Sequence, residues 1–468
     1  MTYDFLQLNR ASPVSLYQQL YSSIRGAVES GHLKTGERLP SIRSLADGLK
    51  VSCTTVESAY QQLCVEGYLR ARPQRGYFVL EARRPDAVRP AVRADFSRPP
   101  GLPVRYNFGS DCVDSANMDL KLWRRQIRDV LNRQEIIASY GEHQGEYALR
   151  EALSSYSYGV RGVLASPDQI VIGAGTQPLL SILCGLLNGG ETAVAMEEPG
   201  FRQAEQIFSD CGFHALKLPG DEDGLNMEAL RASGAKLVFL SPSNRVQTGM
   251  SLPISRRMEL LRWAGECGGI IIEDDHNGEL RYRARPIPAL QGMGGGGNVV
   301  YIGSFSKLLL PSVRIGYMAL TPELLNRYRL SAGNYNQTAS KIEQLALANY
   351  IRSGQMERHL RHLRKLYGMK CDRLTRALKR AFGGRVKILL QETPLSILLT
   401  PPEDAGIQSL CALALHQGVR VGTTSDGKKI LLGFAGIPSE QIEDAVSCLQ
   451  TAWKDVLKEK EIDRNEGL

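Results

Sequence analysis

Lys307 closes the segment Ser304-Phe305-Ser306-Lys307, directly behind the apolar run Val299–Ile302, and Arg314 follows shortly after it. An unprotonated lysine amine in such a place can attack an aldehyde and form a Schiff base. Gly175-Thr176-Gln177 stands where a helix should open, and the free N–H groups of a helix start bind phosphate. Asp274, within Glu273-Asp274-Asp275-His276, can pair with a protonated pyridine nitrogen and hold the ring as an electron sink. Ser304, Ser306 and Arg314 add donors suited to a phosphate. Aldehyde, pyridine and phosphate together describe pyridoxal 5'-phosphate, with Lys307 as its attachment point. Each segment alone has a plain reading, Lys307 as a surface lysine and the acidic run as a solvated turn. Their occurrence in order in one chain sets them apart.

These segments need a frame. Short apolar runs at Ile170–Ile172, Thr192–Ala195, Lys236–Leu240, Ile270–Ile272, Val299–Ile302 and Gly316–Leu320 alternate with helical patterns, which predicts an α/β, mainly parallel sheet. Ligands of such sheets sit at the strand C-termini. The polar segments after the first five runs begin at Gly173, Glu197, Ser241, Glu273 and Ser304, so one site built from five strand ends is the economical reading. Gly292–Gly297 fits the G-x-G-x-x-G spacing but precedes a strand, and is expected to be a flexible loop. His359 and His362 share an Arg-rich helix with no acidic third ligand nearby, and are expected on a solvated face rather than on a metal. The nine cysteines include no C-x-x-C pair, so no zinc site of common spacing is expected.

A second chemistry lies at the N-terminus. Ser15–Ser30 carries Leu16, Leu20, Ile24, Ala27 and Val28 on one helical face. A short helix over Ser41–Leu49, a tight turn and a helix from Cys53 to about Leu63 follow, then strand, basic turn and strand through Leu80. This order is a winged helix-turn-helix over residues 1–82, whose third helix enters the major groove of double-stranded DNA. Ser41, Arg43, Thr54 and Thr55 are the candidate contacts at the helix starts, with Arg72, Arg75 and Gly76 at the wing tip. The net charge of +8 divides unevenly, with +5 within residues 1–100 and +3 in the rest, which hints at a polyanionic partner for the first part.

Between the two lies Arg83–Arg105, with six arginines and five prolines, the composition of an extended linker. The remainder, 106–460, forms the large domain. The 468 residues have no apolar run near the ~18 needed to span a membrane and no cationic-then-apolar leader. A cytoplasmic protein with reduced thiols is expected.

The stretch LPSIRSLADGLKVSCTTVESAYQQLCVEGYLRARPQRGYFV resembles the DNA-binding domain of the GntR superfamily. The resemblance implies that Arg43, Thr54 and Gly76 touch DNA. Cys53 and Glu57 depart from it, each where relatives carry a basic residue. Over roughly 105–455 the order of motifs resembles a fold-type I aminotransferase: YGEHQGEYALREAL, GAGTQPLL, EEPGF, IIEDDHNGEL and SFSKLLLPSVRIGY. Together the two parts look like a MocR-type regulator. The resemblance implies a homodimer with exchanged DNA-binding domains, Tyr140 reaching the cofactor phosphate of the other subunit, Phe201 stacked on the pyridine, Asp274 on its nitrogen, and Ser304 and Arg314 on the phosphate.

Three departures bear on function. His276 replaces the tyrosine that bonds the cofactor's 3' oxygen. The corner Val246-Gln247-Thr248-Gly249 lacks the usual pattern, with Asn244 close by to compensate. Leu431 stands where aminotransferases carry the arginine that clamps a substrate carboxylate. The implied function is a transcriptional regulator whose DNA binding answers to pyridoxal phosphate or a molecule that reacts with it, with little or no transaminase turnover. A working aminotransferase with an accessory DNA-binding domain is the alternative.

Overall fold

The computed structural model describes residues 6, 8–81, 103–109, 112–114, 117–187, 193–198, 200–245, 250–283, 287–294, 296–390, 395–424 and 427–457. Most of the expected linker and the corner 246–249 lie outside this set. The chain divides into two compact units between Pro99 and Pro100.

In the first unit, helices α1 (Leu16–Glu29), α2 (Ile42–Leu49) and α3 (Cys53–Val65) precede a hairpin of β1 (Leu69–Arg72) and β2 (Gly76–Val79). Each helix starts on a serine whose hydroxyl accepts a backbone N–H: Ser15 from Gln18, Ser41 from Ser44 and Ser52 from Thr55. Lys50, left-handed at φ 53°, ends α2 and turns the chain into α3. Leu20, Ile24, Val56, Ala59, Tyr60 and Leu63 are fully buried, the spacing read from the sequence. The hairpin is held from outside its own strands. Leu39 N–H donates to Tyr77 O at 2.9 Å, and the Tyr60 and Tyr77 rings meet edge-on at 4.7 Å.

The second unit is built on an eight-stranded sheet. Its strands are β3 (Ile170–Gly173), β4 (Ala193–Glu198), β5 (His214–Asp221), β6 (Gly224–Leu225), β7 (Leu237–Leu240), β8 (Ile270–Asp274), β9 (Val299–Ser304) and β10 (Gly316–Ala319). They stand in the order β3-β10-β9-β8-β7-β4-β5-β6. Only β10 and β6 run against the others. The reversal of β10 matters, because its N-terminal end lies at the edge where the parallel strands finish. Ser304, Gly316 and Gly173 fall side by side in register. Helices that serve the site are α4 (Tyr147–Arg161), α5 (Thr176–Leu186), α6 (Arg202–Asp210) and the long α7 (Gln355–Phe382). A four-stranded antiparallel sheet follows, ordered β11 (Lys387–Leu389), β12 (Ser396–Thr400), β14 (Ile430–Gly433), β13 (Gly422–Thr423).

Several expectations are corrected. β8 and β9 run two residues further than their apolar runs, so Glu273, Asp274 and Ser304 are strand residues. Glu273 and Asp274 are buried, not a solvated turn. β5 has no counterpart among the six apolar runs, because Lys217 and Pro219 interrupt a half-exposed pattern. The Gly292–Gly297 segment is no free loop at its start. Leu290–Met293 is a helical turn, and a Cβ on Gly292 would collide with Gly162 O. His359 is buried rather than solvated, and its Nε2 donates to Leu308 O at 2.8 Å. Among the described residues no helix is long and apolar enough to cross a membrane.

Candidate functional site

At the edge where β3, β9 and β10 meet, backbone and guanidinium form a tight cradle. Gly175 sits at φ 93° and precedes α5 without any side-chain cap, which leaves the first N–H groups of that helix uncapped by a side chain. A Cβ on Gly175 would lie 3.0 Å from Arg314 Nη2, and the same nitrogen donates to Ala174 O at 3.2 Å. Arg314 itself is left-handed, φ 47°, an arrangement that a non-glycine residue holds only when its surroundings enforce it. Phe305 N–H, bonded to Ile315 O at 3.0 Å, is one such tie. Ser304 Oγ accepts the Ser306 N–H at 3.3 Å. Thr176 is half-buried and Gln177 exposed at the helix start. Thr338, not singled out from the sequence, accepts the Ala174 N–H at 2.9 Å and closes the cradle from a distant segment.

Next along the edge, Asp274 and His276 share one face of the β8 line. Glu273 and Asp275 take the other, as the period of two requires. Asp274, 4% exposed, lies 3.0 Å from His276 Nδ1, and Asn244 Nδ2 lies 3.2 Å from His276 Nε2. Burial disfavours a charged His276, but the Asp274 carboxylate outweighs it and the imidazole protonates above its usual range. Lys307 follows the end of β9, whose Ile302 lies in register with Asp274, and its charge acts on the His276 ring in the opposite sense. Lys307 is half-buried. Phe201, at the start of α6, stacks on Phe239 with centroids 6.4 Å apart and 20° between planes. The structure therefore gathers Asp274, His276 and Asn244 at one point of the edge, with Lys307 in the turn after the neighbouring strand β9, and Gly175 with Arg314 at another. Tyr140 is fully exposed in the single chain.

Behind Asp274 lies a polar layer that the sequence reading missed. Asp275 takes two bonds from Arg161, at 2.6 and 3.1 Å, and one from Tyr301 at 2.8 Å. Burial alone would raise the Asp275 carboxyl, and Arg161 more than offsets this, so the group stays below the usual carboxylate range. Glu273 accepts the N–H groups of Leu290 and Gln291 at 2.8 and 2.9 Å, yet burial, with Asp275 adding to it, pushes it up to about 7. Burial and then the charge of Asp275 push Glu279 up to about 8. Three consecutive acidic residues at the end of an apolar strand, which must point to alternate faces, were the available signal.

In the first unit, Ser52 Oγ lies 2.8 Å from both Thr54 Oγ1 and Thr55 Oγ1, which fixes the hydroxyls at the start of α3. Thr54, Glu57, Ser58 and Gln61 form the exposed polar face of α3, and Ser41 and Arg43 are exposed on α2. Ser41 Oγ is engaged in capping its own helix. Arg72 lies over the Phe78 ring at 4.9 Å, so it stands against the wing, while Arg75 is exposed at the tip. Arg38, missed from the sequence, bridges to Phe78 and lines Gly76, whose φ is 99°. A Cβ there would come 3.3 Å from Arg38 Nε.

Residues 16–79 match the bacterial regulatory proteins of the gntR family. The chain is 34% identical over 462 residues to the uncharacterized HTH-type transcriptional regulator YdeL of Bacillus subtilis (strain 168), covering 96% of this chain and 98% of that one. It is 30% identical over 461 residues to the HTH-type pyridoxine biosynthesis transcriptional regulator PdxR of Corynebacterium glutamicum, covering 94% and 98%. A crystal structure of Pyrococcus horikoshii kynurenine aminotransferase, in complex with PMP, KYN as substrates and KYA as products, matches with a TM-score of 0.67. That match covers 77% of this chain and 93% of that one at 24% identity, a likeness of fold.

Proposed function

The chain belongs to the gntR family of HTH-type transcriptional regulators, in the MocR-type branch whose DNA-binding domain is joined to an aminotransferase-like domain, and on that premise we propose that pyridoxal 5'-phosphate or a molecule reacting with it, held at Lys307, controls its binding to operator DNA. One observation carries the reading. The cradle and the Asp274-His276-Asn244 cluster lie along one sheet edge, with Lys307 in the turn after β9, the strand next to Asp274, while the carboxylate-clamp position is Leu431 in β14. The residues fit the cofactor. Gly175 and Arg314 leave a donor-lined hollow that a side chain on Gly175 would fill, and Asp274 is a buried carboxylate further along the same edge.

Pyridoxal phosphate supplies an aldehyde that condenses with an amine and a ring that withdraws electrons. This chain does the rest. The N–H groups at the start of α5, with Arg314 and Ser304, hold the phosphate. Asp274 holds the proton on the ring nitrogen, and Phe201 covers one ring face. Asn244 would offer a hydrogen bond at the 3' oxygen, with His276 beside it on Asp274. Leu431 offers a substrate carboxylate no donor, which removes the contact that would orient an α-amino acid for proton transfer. Binding energy spent at phosphate and ring then favours one arrangement of the protein over another, which is how a ligand shifts DNA affinity. Tyr140, exposed in the single chain, completes the phosphate site of a partner subunit in a homodimer with exchanged DNA-binding domains. Ser41, Arg43, Thr54, Thr55, Arg75 and Gly76 face the duplex, with Arg72 bracing the wing. The setting is cytoplasmic.

The test is borohydride fixation of added pyridoxal phosphate followed by peptide mass mapping. Modification confined to the Lys307 peptide, absent from a Lys307→Ala variant that still melts cooperatively, is expected. Stoichiometric modification elsewhere, or operator affinity unmoved by the cofactor in the wild-type chain, would overturn the proposal.

A further inference from the structure

The charge of the second unit is concentrated on one element. Residues 101–468 carry a net +3, but α7 alone carries nine Lys or Arg and two acidic residues, so the unit without this helix is net −4. Not all of these cations are available. Lys370 is buried against Asp114 at 2.5 Å, Arg373 pairs with Glu443 at 2.7 Å, and Arg364 Nε donates to Glu279 O at 2.7 Å. Arg358, Arg361, Lys365, Arg376 and Lys379 are exposed. At 100° per residue these five fall within an arc of about 60° on the helix. The acidic residue inside that arc, Asp372, is taken by Arg283 at 3.1 Å. Glu357 lies off its edge, and Glu440 and Glu443 flank the C-terminal end near Arg373 and Arg380. Meanwhile Met356, Leu360, Leu363, Leu374 and Leu378 bury the opposite face, so the stripe is a fixed outer surface of a packed helix.

From this we infer that α7 presents a second DNA contact, to the phosphate backbone of duplex flanking the segment read by α3 and the wing. From Arg358 to Lys379 the stripe is about 31 Å long at 1.5 Å per residue. One turn of B-form duplex is about 34 Å. Cations at this spacing neutralise phosphates without reading bases, a role open to flexible side chains on a rigid rod. A two-fold interface through this face would set like charges against like, so the stripe fits a polyanion rather than a second copy. The inference rests on the DNA-binding reading and adds a surface to it.

The experiment measures binding of the full-length protein to labelled mixed-sequence duplexes of 16 and 60 base pairs over a range of KCl concentrations. In the wild type, log affinity should fall more steeply with log salt on the 60-mer. The triple variant Arg358→Ser, Arg361→Ser, Lys365→Ser should lose about 2.7 from that slope, three contacts at about 0.9 each, and bind the 16-mer as before. The double variant Arg358→Lys, Arg361→Lys should keep the wild-type slope. Should the triple variant fail to fold, protection of Lys365 from acetylation by the 60-mer in the wild type decides instead. Wild-type slopes in the triple variant, or an unprotected Lys365, overturn the inference while leaving α3 binding intact. Failure of the wild type to bind either duplex overturns the DNA-binding reading with it.

Discussion

His276 Nδ1 stands 3.0 Å from Asp274 Oδ2, and the other ring nitrogen faces the Asn244 amide nitrogen at 3.2 Å. With the amide donating to Nε2, the neutral ring carries its proton on Nδ1 and donates it to the carboxylate. Protonating Nε2 would set donor against donor unless Asn244 turns to present its oxygen. The histidine therefore competes with a pyridine nitrogen for Asp274, and the strength of that competition depends on its charge.

Pyridoxal phosphate affinity should accordingly rise with pH. The folded pKa of His276 lies above 6.5, so its ion pair with Asp274 is complete below that value and is lost as pH rises through the raised one. Once neutral, His276 holds the carboxylate by a neutral hydrogen bond alone, which a protonated ring nitrogen displaces more readily than an ion pair. Dissociation constants from equilibrium dialysis between pH 6 and 8.5 measure this. His276→Gln should flatten the dependence, and an unchanged profile in that variant would contradict the coupling.

Removing the guanidinium on α2 should weaken operator binding. Arg43 is exposed on the first turn of α2, and Arg43→Ala is expected to cost roughly 1–3 kcal/mol. Cys53→Arg, restoring a cation at an exposed position on the first turn of α3, should strengthen binding at low salt and steepen its salt dependence. Fluorescence anisotropy at two salt concentrations tests both changes.

Position 431 should decide whether carboxylate ligands are held. Leu431 alternates with the buried Ile430 and Leu432 and is itself half-buried on the other face of β14. Leu431→Arg is expected to tighten binding of an α-amino or α-keto acid to the cofactor-loaded protein by about 2–3 kcal/mol, the worth of a charged hydrogen bond. Spectral titration reports the gain. Turnover near ~1 per second with any common amino acid in the wild type would sink the view that catalysis is lost.

Glu279 should make the protein less stable in alkali. Its carboxyl is raised by burial and by Asp275, so the folded state keeps a proton that the unfolded chain releases, and stability falls as pH climbs from about 4.5 to about 8. Glu279→Gln, which holds the neutral form, should recover on the order of a few kcal/mol at pH 8.5 and change little at pH 5. Urea melts at both values check the sign.

The sequence by itself determined what local patterns determine. The three helices of the first unit, the buried face Val56-Ala59-Tyr60-Leu63 and the central strands were legible, because period is a property of neighbouring residues. Motif order likewise marked Lys307, Asp274 and Arg314 as partners. Only the tertiary structure decided how they meet. The reversal of β10 carries Arg314 back over Gly175, and the extension of β8 turns Asp274 toward His276 while Asp275 faces Arg161, 114 positions earlier. His359 looked solvated in a basic helix, yet it is spent on holding Leu308, next to Lys307. In each case the deciding partner is remote along the chain, and a buried polar group's partner is chosen by packing, which no local pattern encodes.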